Sequence, residues 1–300
     1  MQLSTPILPT TVVGSYPCIP SSNRSPSDHD PYTKSVEFAV SEQIRAGIDI
    51  ISDGQVRTDM ITSFLSHFHG ITGNKVVGPI RASSNTPVTI TDTIYALTKS
   101  KNVKGIITGP CTLAYALKID TPNYKDRDDL ILNLAHHLHS EVKKLSSIGT
   151  CIIQVDEPIL STGAVNIDIA EKALRIIFNG ISKLSCVHTC GRLNDIVDEW
   201  VRLPVNIIDF EYSVSPDNLS CISKSDYRNK LIGCGCINSS DSVVDSVDVI
   251  TKRISECVDV FGAENILIDP DCGLRALTPE IAFGKLQNMC TATKQVRSDL

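Results

Sequence analysis

The sequence alternates between short apolar runs and longer stretches in which apolar residues recur every three or four positions. Short runs rich in Val and Ile indicate buried strands, whereas the longer spacing indicates helices. The apolar runs cover residues 10–13, 48–52, 103–108, 151–155, 185–188, 206–210, 231–233 and 265–268. Helical spacing covers residues 36–46, 130–147, 169–184 and 243–261. Eight buried strands alternating with helices predict an α/β fold, a parallel (β/α)8 TIM barrel, which we expect to form a single domain over residues 1–300.

Two stretches are longer than the connections of a minimal barrel. Residues 18–31 are rich in Ser, Pro and Asp and predict a long loop after strand 1. Residues 75–90 contain two further β-like runs, 76–80 and 87–90, and predict a hairpin inserted after the second strand–helix unit. Loops that follow barrel strands lie on the face where active sites form, so we expect both stretches to border the site.

The composition narrows the class of protein. With 42% hydrophobic and 21% charged residues, the chain has enough apolar material for a large core. Its net charge of −6 lacks the basic surplus of nucleic-acid-binding proteins, so we expect no nucleic-acid partner. We find no apolar run of membrane-spanning length and no secretory signal, so we expect no membrane association and a cytoplasmic location. The odd number of cysteines, 11, fits a reducing compartment.

Reactive side chains fall where the predicted strands end. His188 and Cys190 close the fifth strand, and their spacing of two places both side chains on one face. Glu211 ends the sixth strand and Cys272 follows the eighth. Because strand ends of a barrel converge on one mouth, these residues predict a metal site with the ligand types of Zn²⁺. Taken alone, the His-x-Cys pair also fits a packed core pair.

This set of ligands favours one kind of chemistry. Two thiolates and a carboxylate would place three negative charges around Zn²⁺, which makes the ion a weak activator of water. Coordination still deprotonates a bound thiol, whereas a free thiol is only a few per cent thiolate at about pH 7. The residues therefore indicate alkylation of a substrate thiol.

Six segments together make the sequence similar to a known family. They are TTVVGSYP at 10–17, SDGQVRTDM at 52–60, GIITGPC at 105–111, QVDEP at 154–158, HTC at 188–190 and IDPDCG at 268–273. The chain resembles the catalytic half of the cobalamin-independent methionine synthases. It resembles most closely the short, single-barrel archaeal type that consists of that half alone. The resemblance extends from about residue 10 to residue 294.

The resemblance implies both the metal ligands and the substrate contacts. Its implied zinc ligands are His188, Cys190, Glu211 and Cys272. The implied substrate is L-homocysteine, with its amino group held by Asp156 and its carboxylate near Gly14 and Ser15. Gln55 stands where longer family members carry a homocysteine-binding glutamate, so we expect it at the substrate site as well. Loop capping for Asp156 and an ordinary turn for Gly14 and Ser15 are the structural alternatives.

The methyl donor is the point at which the chain departs from the longer family members. Those members place a histidine after strand 7, associated with protonating methylfolate, whereas this chain has INSS at residues 237–240. A methylated corrinoid needs no such acid, so we expect a methyl-corrinoid, carried by a corrinoid protein, to methylate zinc-bound homocysteine and form L-methionine. The alternatives are a corrinoid-dependent methyltransferase acting on another thiol, such as coenzyme M, and a non-catalytic zinc-holding barrel that binds a corrinoid protein.

Overall fold

The computed structural model describes residues 5–19, 30–57, 59–83, 88–227 and 229–300. Its helices are α1 (Thr33–Ala46), α2 (Met60–Leu65), α3 (Val88–Lys99), α4 (Pro110–Tyr115), α5 (Arg127–Ile148), α6 (Ile167–Ile177), α7 (Val197–Trp200), α8 (Asp217–Ile222), α9 (Val247–Phe261) and α10 (Pro279–Ser298). Its strands are β1 (Phe68–Thr72), β2 (Lys75–Ala82), β3 (Lys104–Thr108), β4 (Lys118–Ile119), β5 (Ile152–Asp156), β6 (Leu184–Thr189), β7 (Ile207–Glu211), β8 (Leu231–Ile237) and β9 (Ile266–Pro270). Single turns of 3-10 helix cover Pro158–Thr162 and Ala263–Asn265.

Six of the strands form a parallel sheet in the order β3-β5-β6-β7-β8-β9. Two short segments connect its outer strands, since parallel bridges pair Thr10 with Ile268, Thr11 with Ile50, and Ile51 with Val103. These segments correspond to the first two predicted strands, which appear here as isolated bridges. Eight parallel segments therefore follow one another around the barrel, and the predicted fold class is confirmed. That residues 1–300 form a single domain stays a prediction.

The interior of the barrel changes from apolar to polar along the strands. Near the strand starts lies a cluster of buried apolar side chains, formed by Ile50, Ile152, Leu184, Cys186, Ile207 and Leu267. Four residues further along the same faces of β5 and β6, the side chains are Asp156 and His188, both buried. Because side chains alternate in a strand, one face carries both the floor of the barrel and the polar groups of its mouth.

The outer helices begin and end at residues suited to those positions. The Asp126 side chain accepts the backbone N–H of Asp129 at 2.9 Å and so caps the first turn of α5. The same helix ends at Gly149, whose φ of 107° is a left-handed conformation that glycine adopts without strain. Its buried side chains, such as Leu134, Leu138 and Leu145, pack in the larger hydrophobic core.

The inserted hairpin is present, but one of its predicted strands is wrong. The run 76–80 lies in β2. Its antiparallel partner is β1, which precedes β2 in the chain. The second predicted run, 87–90, instead contributes residues 88–90 to the start of α3, while residue 87 lies outside the described residues. Ile90, Thr93 and Ala96 are all buried, and this spacing of three places them on one helix face. Burial of that face outweighs the strand preference of Val, Thr and Ile.

Most of the long loop predicted at residues 18–31 lies outside the described residues, which leave out 20–29. Among the helices of the described segments, none combines the length and apolar character needed to cross a bilayer.

Asp49 connects the first strand segment to the last helix, and its replacement tests how much this junction stabilises the barrel. Its carboxylate accepts the backbone N–H and the hydroxyl of Thr10 at 2.9 and 3.0 Å and forms a 2.5 Å ion pair with Arg297. We expect Asp49→Ala to lower the free energy of unfolding by about 2–3 kcal/mol, because hydrogen bonds to a charged, half-buried group are lost. Urea denaturation followed by circular dichroism measures this change.

The matched control is Asp49→Asn, which keeps an acceptor for Thr10 but removes the charge that faces Arg297. We expect it to lose about half as much stability as the alanine variant. If both variants unfold at the wild-type urea concentration, the junction does not stabilise the barrel.

Candidate metal centre

Three of the predicted metal ligands meet at the mouth of the barrel. His188 lies near the end of β6, Cys190 follows the same strand, and Cys272 follows β9. The ligand atoms of these three residues all lie within 4.8 Å of one another. Within the described ranges, they form the one group of three or more His, Cys, Asp or Glu side chains with this spacing. The convergence of strand ends therefore produces the predicted cluster from segments far apart in the chain.

His188 is oriented as a metal ligand needs to be. Its Nδ1 lies 3.0 Å from Oδ1 of Asp209, and both side chains are buried. Its Nε2 is also buried and has no hydrogen-bond partner among the described residues. A buried nitrogen without a partner is costly unless something binds it. Since Nδ1 is occupied by Asp209, Nε2 is the atom left to bind a cation between the two thiols.

The thiols of Cys190 and Cys272 have pKa values shifted in opposite directions. The hydrogen bond from Cys190 lowers the pKa of Cys272 to about 4, while the same contact, together with burial, raises the pKa of Cys190. The pair thus loses a first proton easily and a second only with difficulty. Two adjacent thiolates need a cation to balance their charge, and thiolate sulfur selects soft ions such as Zn²⁺ over Mg²⁺ or Ca²⁺.

Glu211, the predicted fourth ligand, lies beside this cluster at the end of β7. One carboxylate oxygen accepts the backbone N–H of Gly191 at 3.2 Å, and the other accepts the hydroxyl of Ser215 at 2.5 Å. Gly191 directly follows Cys190, so the carboxylate is next to the thiols without belonging to the group of mutually close ligand atoms. Each oxygen still has a free lone pair, so these hydrogen bonds leave the carboxylate able to bind an ion as well. Its role as a ligand stays a prediction.

The thiols open into a cavity of about 340 Å³ at the barrel mouth. Of the predicted substrate-binding residues, Ser15, Gln55 and Asp156 line this cavity. Gly14 lies behind the Gln55 side chain, because a Cβ built on Gly14 would sit only 2.3 Å from Oε1 of Gln55. Gly14 therefore provides space for Gln55, which itself has a left-handed backbone with φ of 40°.

Asp156 is a buried carboxyl group that pairs in register with His188 across β5 and β6. Nε2 of Gln154 donates to its Oδ1 at 2.6 Å, and the same amide nitrogen also reaches the carbonyl of Val13. Burial raises the pKa of Asp156 to about 7. A carboxyl group held in this way in a cavity wall is suited to pairing with a cationic group of a ligand.

Ser15 is in close contact with the loop that follows β9. Gly273 follows Cys272, and a Cβ on Gly273 would lie 2.0 Å from Oγ of Ser15. The backbone N–H of Leu274 donates to the carbonyl oxygen of Ser15 at 2.8 Å. The loop after the first strand segment and the loop after β9 are therefore packed against each other without space for another atom.

The sequence analysis missed an acidic wall on another side of the cavity. Asp53 and Asp92 line it, and burial, together with the charge of Asp92, raises the pKa of Asp53 to about 7. Arg57 pairs with Asp92 at 2.6 Å and with Asp30 at 2.5 Å, and so connects three chain segments. The charged residues of SDGQVRTD, directly after a buried strand, are the signal that could have predicted this wall.

Comparison with known proteins places the chain in a family. The family described as "Cobalamin-independent synthase, Catalytic domain" matches residues 8–295. A protein named methionine synthase from Methanocaldococcus jannaschii is 38% identical, over 96% of this chain and 99% of that protein. A methionine synthase from Methanothermobacter marburgensis is 37% identical, over 95% of this chain and 99% of its own length.

Solved structures agree on the fold. The B12-independent methionine synthase from Shewanella sp. W3-18-1, solved in complex with selenomethionine, superposes with a TM-score of 0.84 at 22% identity. That match covers 98% of this chain and 99% of the other. The family resemblance of the sequence is thereby confirmed, and this chain belongs to the cobalamin-independent synthase catalytic-domain family.

Proposed function

We propose that this protein is a zinc-dependent methyltransferase that converts L-homocysteine to L-methionine. The observation that carries this proposal is the cluster of His188, Cys190 and Cys272 at the wall of a cavity that Asp156 also lines. A metal-binding group beside an ammonium-binding group fits an amino acid whose side chain ends in a thiol. The name methionine synthase, borne by relatives at 37–38% identity over nearly their full length, supports the same activity.

The residues at the mouth fit a bound zinc ion. His188 would contribute its unpartnered Nε2, and Cys190 and Cys272 their sulfurs, with Glu211 as the proposed fourth ligand. A zinc ion held there would keep a coordinated substrate thiol in its nucleophilic thiolate form. Asp209 holds the proton of His188 on Nδ1, so that the ring keeps one orientation.

The remaining residues would hold the amino acid in position for reaction. We place the ammonium group of homocysteine at Asp156 and its carboxylate near Ser15, with Gln55 beside them. Gly14 contributes by leaving space for the Gln55 side chain. Holding the ammonium and carboxylate groups of homocysteine restricts the movement of its sulfur, which lowers the entropic cost of attack on the methyl donor. A cavity of about 340 Å³ is at the small end for ligand sites, as suits a small amino acid.

Neither the relatives nor the structure supports the methyl-corrinoid, or the corrinoid protein, that the sequence predicts. The cobalamin independence of the family argues against both. We therefore limit the proposal to the acceptor thiol and the metal, and a comparison of donors in the assay below distinguishes a methylated pterin from a methyl-corrinoid.

Coenzyme M, the alternative thiol, fits this cavity less well than homocysteine. It carries a sulfonate and no ammonium group, so it would leave Asp156 in the cavity wall without a cationic partner.

Zinc binding is tested by metal content. Wild-type protein purified with zinc should retain one ion per chain after desalting, and Cys190→Ala or Cys272→Ala should retain less than about a tenth as much, because each removes a thiolate ligand. Atomic absorption measures the metal. The control is Cys221→Ala, a cysteine on α8 outside the cluster, which should bind zinc like the wild type. Wild-type retention by both cluster variants would rule out these ligands.

Methyl transfer is tested by methionine formation from homocysteine. Zinc-loaded wild type should form methionine with at least one of two donors, 5-methyltetrahydrofolate or methylcobalamin, and Cys272→Ser should reduce the rate by at least about 100-fold. Turnover with the folate alone would remove the corrinoid from consideration, and turnover with methylcobalamin alone would restore it. Absence of methionine with every donor, from protein shown to hold zinc, would refute homocysteine as the acceptor.

Recognition of the amino group is tested by Asp156→Asn. We expect KM for homocysteine to rise roughly 10–100-fold, because an ammonium group loses a charged hydrogen-bond partner in a buried site. Steady-state kinetics separates this effect from kcat. Asp120→Asn, which alters an exposed carboxylate paired with Lys75, is the control and should leave KM unchanged. An unchanged KM in Asp156→Asn would place the ammonium group elsewhere.

A further inference from the structure

Asn218 is a fully buried polar residue at the start of α8, and its side chain connects the loop after β6 to the end of β7. Its Oδ1 accepts the backbone N–H of Leu193 at 2.9 Å. Its Nδ2 donates to the carbonyl oxygen of Gly191 at 2.9 Å and to that of Glu211 at 2.8 Å. A side-chain amide offers one carbonyl oxygen and two N–H donors, so all of its polar groups are used.

These hydrogen bonds lie just beyond the point where β6 and β7 stop pairing with each other. The last paired residues of the two strands are Thr189 and Phe210. The next residue in each segment is a proposed metal ligand, Cys190 in one and Glu211 in the other. The Asn218 amide therefore joins the two segments at the position where the hydrogen bonds of the sheet end.

The Glu211 side chain makes a second connection between the same segments. One of its oxygens accepts the backbone N–H of Gly191 at 3.2 Å, and the other accepts the hydroxyl of Ser215 at 2.5 Å. The carbonyl oxygen of Ser215 in turn accepts the backbone N–H of Asn218 at 3.0 Å. One turn at the start of α8 thus holds both the carboxylate of Glu211 and its backbone.

We propose that Asn218 is a positioning residue for the metal centre, which sets the separation of Cys190 and Glu211 without contacting the ion. The inference rests on the zinc site of the proposed function and deepens it, because it identifies what holds two of the four proposed ligands in place. A buried amide with every polar group hydrogen-bonded adds no net charge to the site and leaves no unpaired polar atom.

The test is zinc affinity, measured by competition with a chromogenic chelator on the full-length protein. We expect Asn218→Asp to weaken zinc binding about 10–100-fold, the range usual for loss of a partner that orients metal ligands. The new side chain has the same shape and keeps an acceptor for Leu193. A carboxyl group donates at most one hydrogen bond, however, so the carbonyl groups of Gly191 and Glu211 cannot both keep their donor.

The matched control is Gln43→Glu, which makes the same exchange at another fully buried amide, on α1. Oε1 of Gln43 accepts the backbone N–H of Ser52 at 2.8 Å, and its Nε2 donates to the carbonyl groups of Ala39 and Ser52 at 3.1 and 3.2 Å. None of these residues adjoins a proposed metal ligand in the chain. Gln43→Glu should therefore lose stability in the same way and bind zinc within about threefold of wild type.

Co²⁺ in place of Zn²⁺ gives a spectroscopic signature of the ligand geometry. The visible absorption of Co²⁺-loaded Asn218→Asp should differ from that of the wild type, because the sulfur of Cys190 and the carboxylate of Glu211 are displaced relative to each other. Co²⁺-loaded Gln43→Glu should give the wild-type spectrum, since a loss of stability alone does not change the ligands of the folded, metal-loaded protein.

Three results would overturn the inference. The first two are wild-type zinc affinity and a wild-type cobalt spectrum in Asn218→Asp. The third is an equal weakening of zinc binding by Gln43→Glu, because the effect would then follow from stability alone. Circular dichroism and thermal melting check that each variant is folded.

A measurement on the wild type replaces the variant if Asn218→Asp does not fold. Zinc should slow hydrogen–deuterium exchange both in residues 190–194 and in α8, because Asn218 couples the two. Slower exchange in residues 190–194 with unchanged exchange in α8 would overturn the inference.

None of these readouts requires methyl transfer. Zinc retention by the wild type is the separate test of the proposed function. A wild type that holds no zinc would refute that function and this inference with it, whereas a zinc-binding wild type with unaffected Asn218→Asp would count against this inference alone.

Discussion

The parallel direction of all the barrel strands is the constraint on which the site depends. Because every strand points the same way, residues separated by 84 positions, His188 and Cys272, end at one mouth. The bridges of Thr10 and Thr11 to Ile268 and Ile50 matter for the same reason, since they connect β9 to the first strand segments. Without that connection, Ser15 and Cys272 would have no fixed relation, and the loop proposed to hold the substrate carboxylate could not lie beside the proposed metal ligands.

From the apolar floor to the mouth, the interior of the barrel contains three successive levels of side chains with different chemical character. The apolar floor supplies packing energy. The middle holds Lys104, Asp209 and Asp269, which are buried from bulk solvent and line one small cavity. The top holds the thiols, His188 and Asp156, whose chemistry faces the cavity. In this middle level, Asp209 contacts Nδ1 of His188 at 3.0 Å and so orients the ring above it.

The sequence predicted those features that depend on period and position. A spacing of two placed His188 and Cys190 together, and the position of Cys272 after an apolar run placed it at the same mouth. It could not predict Asp209 as a partner, because a single Asp within a buried run does not reveal which strand it faces. The second hairpin strand was wrongly predicted for a related reason. Val, Thr and Ile favour a strand locally, whereas burial of Ile90, Thr93 and Ala96 on one face favours the helix that forms.

The contact between Ser15 and Gly273 links the proposed substrate site to the proposed metal site. No gap separates Gly273 from Ser15, and the backbone N–H of Leu274 donates to the Ser15 carbonyl, so the position of each loop depends on that of the other. A displacement of Cys272 is thereby passed directly to the residue proposed to hold the substrate carboxylate. An amino acid that fills the cavity would in the same way restrict the sulfur of Cys272. If the chain binds the proposed metal and amino acid, the two would be thermodynamically linked ligands, each raising the affinity of the chain for the other.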